Sequence, residues 1–128
     1  MKKIACALVG VLLLVSMMTG CAARPTYADG VYFGVGEVDG YSGYRTLITA
    51  KVTGGHLESV DWNELHYMGQ NKKELGDAYG MKMASSVGKE WYEQAKAIED
   101  ALVKRGPASI KTTEQGSVIS VSGASINV

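Results

Sequence analysis

A short C-terminal segment contains the residue types best suited to chemistry. It reads Ser122-Gly123-Ala124-Ser125 and follows residues 117–121, where apolar residues are interspersed with serines. Glycine lets the backbone turn sharply and approach a ligand closely, and clustered backbone N–H groups form a concave site for an anion such as phosphate. The segment therefore predicts a strand that leads into an anion-binding turn with exposed hydroxyl groups. The same composition is also common in turns that bind nothing.

The first element that should position this turn is a predicted β-sheet. Val31, Phe33 and Val35 occupy alternate positions, which is the pattern of a half-buried strand. Residues 44–53 and 57–67 predict two further strands. Gly54 and Gly55 lie between these two strands, and glycine supplies the positive φ that a tight hairpin requires.

A polar, glycine-rich stretch and then an amphipathic helix follow the sheet. Residues 68–83 predict a long loop, which is more often functional than idle, and Ser85 or Ser86 is predicted to cap the helix. Over residues 89–105 one apolar stripe is formed by Trp91, Ala95, Ile98 and Leu102. We therefore expect an α+β fold, in which a twisted antiparallel sheet (a meander) has one main helix packed on it.

The N-terminal residues predict export. A basic start and a short apolar run lead to small residues immediately before Cys21, as in a secretory signal peptide. The pattern around Cys21 resembles the lipobox of bacterial lipoproteins, in which this cysteine is lipidated. We predict a signal peptide over residues 1–20, a lipidated tether over 21–28 and one domain over 29–128. An ordinary signal peptide and a retained anchor are the alternatives.

Composition excludes several classes of function. Lys2 and Lys3 are two of the 13 basic residues, so removal of residues 1–20 leaves a net charge of −2 and no basic patch for nucleic acid. Cys6 would leave with the signal and Cys21 would be acylated, so no disulfide is expected. We expect no metal site, because His66 and Glu64 make only a weak pair of ligands.

The C-terminal motif resembles that of a known family. Ser122-Gly123-Ala124-Ser125 is similar to the S/T-G-A-T/S motif of the FMN-binding domain family, whose last hydroxyl carries FMN through a phosphoester bond made by a separate flavin transferase. The opening residues 29–32 and the hairpin also resemble the start of that domain, and residues 79–86 resemble small bacterial surface lipoproteins of the membrane-immunogen type. The resemblance implies that Ser125 is the attachment hydroxyl and that Ser122, Gly123 and Ala124 form the loop that the transferase recognises.

Two departures from the family motif leave undecided whether FMN is attached covalently. Ile119 stands where the family usually has Asp, and Ser125 stands where Thr is usual.

An FMN site also needs a flat apolar wall for the isoalloxazine ring. Tyr79 and Met83 are the predicted ring contacts, whereas Trp91 is predicted to be a core residue.

The resemblance implies an FMN-binding lipoprotein on the outer face of a bacterial membrane. It would act as an extracytoplasmic electron carrier with an unknown redox partner and no catalytic side chains of its own. The alternative is a surface lipoprotein without flavin that acts as an adhesive or ligand-binding module. Serine hydrolysis with His66 as the base is disfavoured, because the sequence has no Gly-x-Ser-x-Gly motif.

Overall fold

Three antiparallel strands form a sheet with the order β1-β2-β3, both along the chain and across the sheet. In the computed structural model, which describes residues 26–128, they span Gly30–Val35, Tyr44–Thr53 and His56–His66. Val31 lies opposite Lys51, and Ile48 lies opposite Trp62. The predicted meander is confirmed. The predicted signal peptide and the lipidation site at Cys21 lie outside the described residues.

A two-residue turn joins β2 to β3, as predicted. Gly54 and Gly55 have φ values of +60° and +78°, a region that side chains with a Cβ rarely adopt. Both backbone N–H groups donate to the carboxylate of Asp29, at 3.0 and 2.8 Å. The N–H of Tyr27 donates to the carbonyl of Gly55 at 2.9 Å. The chain before β1 is therefore tied to the tip of the hairpin.

The main helix, α2 (Trp91–Arg105), packs over β3. Its stripe is confirmed: Trp91, Ala95 and Ile98 are buried, and the Trp91 ring lies 5.3 Å from that of Trp62 on β3. The C-terminal segment completes the core with the buried residues Val118, Val121, Ala124 and Ile126. None of the helices within residues 26–128 combines the length and the apolar composition that a membrane span requires.

The stretch predicted as a long loop contains a short helix, α1 (Lys72–Leu75), and a 3₁₀ turn (Gly76–Tyr79). Lys73 forms ion pairs with Asp61 on β3 and with Glu99 on α2, and the buried Glu99 carboxylate also accepts the N–H of Trp62 at 2.7 Å. These long-range pairs explain why polar residues form ordered structure here. A second 3₁₀ turn, Pro107–Ser109, follows α2.

Three sequence predictions were wrong. Strand β1 is not half-buried: Phe33 pairs with Thr49 on the face of the sheet away from α2 and is 78% exposed, and Tyr32 on the other face is 47% exposed. Neither Ser85 nor Ser86 caps α2, because Glu90 occupies the N-cap position and its N–H donates to the Glu93 carboxylate at 2.9 Å. Residues 117–121 do not form the predicted strand: Ser117 and Val118 make isolated bridges to Asn127 and Thr112 and do not pair with the sheet.

The Asp29 carboxylate predicts a pH-dependent contribution to stability. The two N–H groups of Gly55 and Gly54 lower its pKa from the ordinary 3.8. A lowered folded-state pKa stabilises the fold above 3.8, and this stabilisation is lost as the pH falls through the folded value. Asp29→Asn should therefore lower the unfolding temperature at neutral pH, and the difference from wild type should shrink below pH 3.8.

Thermal unfolding followed by circular dichroism at several pH values measures this difference. Glu114→Gln is the control, because Glu114 is exposed and forms no hydrogen bond or ion pair within residues 26–128. A constant difference between Asp29→Asn and wild type at all pH values would contradict the role assigned to the carboxylate.

Candidate functional site

The Ser-Gly-Ala-Ser segment forms a tight turn beside the start of α2. Gly123 has a φ of +80°, and the N–H of Ala124 donates to the carbonyl of Val121 at 3.2 Å. Ala124 is buried, Ser122 is exposed and Ser125 is half-buried. One side of the turn is therefore fixed in the core, and the other faces solvent with its hydroxyl groups.

A buried amide holds the turn in place. The side chain of Gln94 is completely buried, and its Oε1 accepts the backbone N–H of Ser125 at 2.9 Å. Its Nε2 donates to Ser85 Oγ at 2.9 Å and to the Lys89 carbonyl at 3.0 Å. Gln94 thus joins three segments that are distant in sequence: the C-terminal turn, the 81–88 segment and the start of α2.

The Ser125 hydroxyl belongs to a small polar cluster. Ser86 Oγ donates to Ser125 Oγ at 3.0 Å, and Ser125 Oγ lies 3.4 Å from Gln94 Oε1, to which it donates. Because Ser86 is exposed and Ser125 is half-buried, the cluster opens to solvent. The Ser125 oxygen is thus held in one position and stays accessible to a ligand or another protein.

A second buried side chain orders the segment that supplies Ser86. The Glu90 carboxylate accepts the backbone N–H groups of Met81 and Lys82, at 2.8 and 3.0 Å. Glu90 is itself only 4% exposed. Residues 81–88 are therefore fixed to the first turn of α2, although they form no regular helix or strand.

A lysine ammonium lies against the turn. A Cβ atom at Gly123 would lie 2.7 Å from Lys89 Nζ, which shows how close this amine lies to the turn, whereas the φ of +80° is what requires glycine here. Within residues 26–128 Lys89 forms no ion pair. An unpaired cation beside hydroxyl groups and a glycine turn suits an anion, and phosphate above all.

The two predicted ring contacts lie in different surroundings. Met83 is 96% exposed and belongs to the same segment as Ser86, so a ligand can reach it. The half-buried Tyr79 packs against the core, and its ring lies edge-on to Tyr44 at 6.5 Å. The Lys72 ammonium lies 5.0 Å from the Tyr79 ring and pairs with Glu64. The ring contacts of Tyr79 are thus with this aromatic cluster rather than with the turn.

Gln94, Lys89 and Ser86 were not identified from the sequence as parts of the site. Gln94 had a recognisable signal, because it lies three residues after Trp91 and one before Ala95, on the apolar side of the helix. A polar residue at such a position must find buried partners. The position of Lys89 against Gly123 follows only from the tertiary fold.

The geometry gives other chemistry less support. The hydrogen-bond partners of Ser125 are Ser86 and Gln94, whereas the ring of His66 packs against Tyr44 and Tyr67 at 4.9 and 4.3 Å. Among residues 26–128, no group of three or more His, Cys, Asp or Glu side chains is arranged to hold a metal ion.

Removal of the buried amide should destabilise the fold. Gln94→Ala leaves the Ser125 N–H without its acceptor, so we expect a loss of about 1–3 kcal/mol in the free energy of unfolding. The matched control is Gln115→Ala, an exposed glutamine whose loss should change this energy by less than about 0.5 kcal/mol. Urea unfolding of both variants measures the difference, and equal stabilities would contradict the role of Gln94.

No model of a known protein family matches the chain, and no curated protein matches it. Two solved structures are similar to it. The solution NMR structure of a Clostridium thermocellum protein is 34% identical, with a TM-score of 0.55, and the match covers 80% of this chain and 82% of that one. The crystal structure of the CPE2226 protein from Clostridium perfringens is 25% identical, with a TM-score of 0.56, over 66% of this chain and 70% of that one. The chain belongs to the same family as the Clostridium thermocellum protein.

Proposed function

We propose that this chain is an FMN-binding lipoprotein that carries electrons at the outer face of a bacterial membrane. The observation that carries the proposal is the Ser125 hydroxyl, which is fixed by Gln94, open to solvent and close in sequence to a glycine turn that holds the Lys89 ammonium. This arrangement supports the role of Ser125 that the motif implies. Cys21 would provide the lipid anchor.

The donors at the turn fit a flavin phosphate. Phosphate oxygens are strong acceptors, and they bind best to cations and hydroxyl groups that are already in place. Lys89 supplies the cation, and Ser122, Ser86 and Ser125 supply hydroxyl groups. Because Gln94 already accepts the N–H of Ser125, this N–H is not available to the phosphate.

A covalent bond at Ser125 would join its Oγ to the phosphorus of a flavin nucleotide. Such a step needs an activated phosphate, so the donor would be a flavin dinucleotide whose pyrophosphate bond breaks and releases a nucleoside monophosphate. The transferase would supply the base that takes the Ser125 proton, because the neighbours of this hydroxyl are a neutral amide and another hydroxyl. Ile119, at the place where the family usually has Asp, is 65% exposed.

When bound, a flavin supplies the redox chemistry, and this chain supplies binding, orientation and electrostatics. The exposed thioether of Met83 can adapt its shape to a flat ring, because methionine is unbranched and polarizable. The hydroxyl cluster that holds Ser125 opens to solvent, so a redox partner would approach the ring without a conformational change in the core.

Mass spectrometry tests the attachment site. When the full chain is co-expressed with a flavin transferase, the wild type should gain the mass of one FMN and Ser125→Ala should gain none, because it lacks the acceptor oxygen. Ser122→Ala is the matched control, since it removes the other hydroxyl of the turn and should keep the gain. No gain in the wild type, with a colourless protein, would favour the flavin-free ligand-binding module instead.

Because the Lys89 ammonium lies beside the turn, we expect the site to bind phosphorylated flavin more tightly than unphosphorylated flavin. Lys89→Gln should weaken the binding of free FMN about 10- to 100-fold, because a contact between a charged donor and phosphate contributes about 1.5–3 kcal/mol. Riboflavin has no phosphate, so its affinity should not change. Flavin fluorescence titration measures both affinities, with Lys82→Gln, which changes an exposed lysine of the 81–88 segment, as the control. An equal loss for riboflavin would contradict a phosphate contact.

A further inference from the structure

An apolar groove runs along the side of β2 that faces α2. Alternate residues of β2 form its floor, and the 3₁₀ turn at Pro107 borders it. One part is a cavity of about 210 Å³ lined by Ile48, Trp62, Leu102 and Ile110. The adjoining part, about 430 Å³, is lined by Tyr32, Ala50, Val52 and Leu57, and Pro107 borders both parts.

The groove has the length and the chemistry of a site for an alkyl chain. From Thr46 to Val52 the strand rises about 20 Å, at about 3.3 Å a residue. This matches an extended alkyl chain of roughly 16 carbons with ordinary carbon–carbon bonds of about 1.5 Å. The lining is almost entirely apolar, so it offers little to a sugar or a nucleotide but suits a hydrocarbon.

Cationic and titratable groups lie at one end of the groove. A smaller cavity of about 90 Å³ shares Tyr27 and Leu57 with the larger part, and it is lined also by His56 and Arg105. Arg105 follows the last apolar residues of α2, and its Nη2 donates weakly to the Ser120 carbonyl at 3.4 Å. Its guanidinium is exposed and forms no ion pair within residues 26–128, so it can bind a carboxylate.

We propose that this groove binds one long-chain fatty acid, with its alkyl chain along β2 and its carboxylate at Arg105 and His56. The site is separate from the Ser125 turn, which none of the three cavities includes. The proposal therefore holds whether or not the chain carries a flavin.

Ala50 provides the variant that tests the groove. Ala50→Phe places a ring in the larger part, where the alkyl chain would lie. Thr49→Phe is the matched control, because it adds the same ring to the next residue of β2, whose side chain points to the opposite face of the sheet. Circular dichroism first establishes that both variants fold. If Ala50→Phe does not fold, Ile48→Phe replaces it.

The experiment is photolabelling of the full chain in washed bacterial membranes with a photoreactive 16-carbon fatty acid. Excess palmitate should compete with the labelling of peptides that line the groove. The labelling should be at least tenfold lower in Ala50→Phe than in the wild type and unchanged in Thr49→Phe. Arg105→Gln should reduce labelling by the free acid and leave that by its methyl ester unchanged. The proposal would be overturned if excess palmitate does not reduce the labelling or if Ala50→Phe and the wild type are labelled equally. It would also be overturned if the groove cross-links to a second copy of the chain.

Discussion

The candidate site depends on one buried amide. Gln94 belongs to the side of α2 that packs into the core, where an unpaired polar group would be costly. Its side chain hydrogen-bonds to Ser125, Ser85 and Lys89, so the polar group is satisfied only when the C-terminal turn and the 81–88 segment are both in place. The need to satisfy one side chain thus places the Ser125 hydroxyl, and the Lys89 ammonium lies beside the same turn.

Helix α2 covers only part of the sheet, so the polar turn and the apolar groove lie at different places along the helix. Helix α2 packs over β3, and within residues 26–128 no helix packs directly over β1 or β2. The start of α2 holds the polar turn, whereas its C-terminal end borders an apolar groove with Arg105 at its edge. One helix therefore separates a site suited to phosphate from a site suited to hydrocarbon.

Local patterns predicted the regular elements well. The strand over residues 44–53, the Gly54-Gly55 turn and the apolar stripe of α2 each follow from periodicity or from the φ that glycine permits. The exposure of Phe33 could not be predicted, because it depends on which face of the sheet the helix covers. The partners of Ser125 could not be predicted either, because Ser86 and Gln94 are 39 and 31 residues away in sequence and only the tertiary fold brings them together.

Phosphorus NMR of the chain, purified from bacterial membranes and then unfolded, shows whether Ser125 carries a flavin phosphate. A phosphate joined to Ser125 is a diester with no proton to lose near neutral pH, whereas a monoester titrates with a pKa of about 6. If Ser125 carries FMN, we expect one resonance that survives unfolding and does not move between about pH 5 and 8. A resonance that titrates, or no protein-bound phosphorus at all, would contradict it.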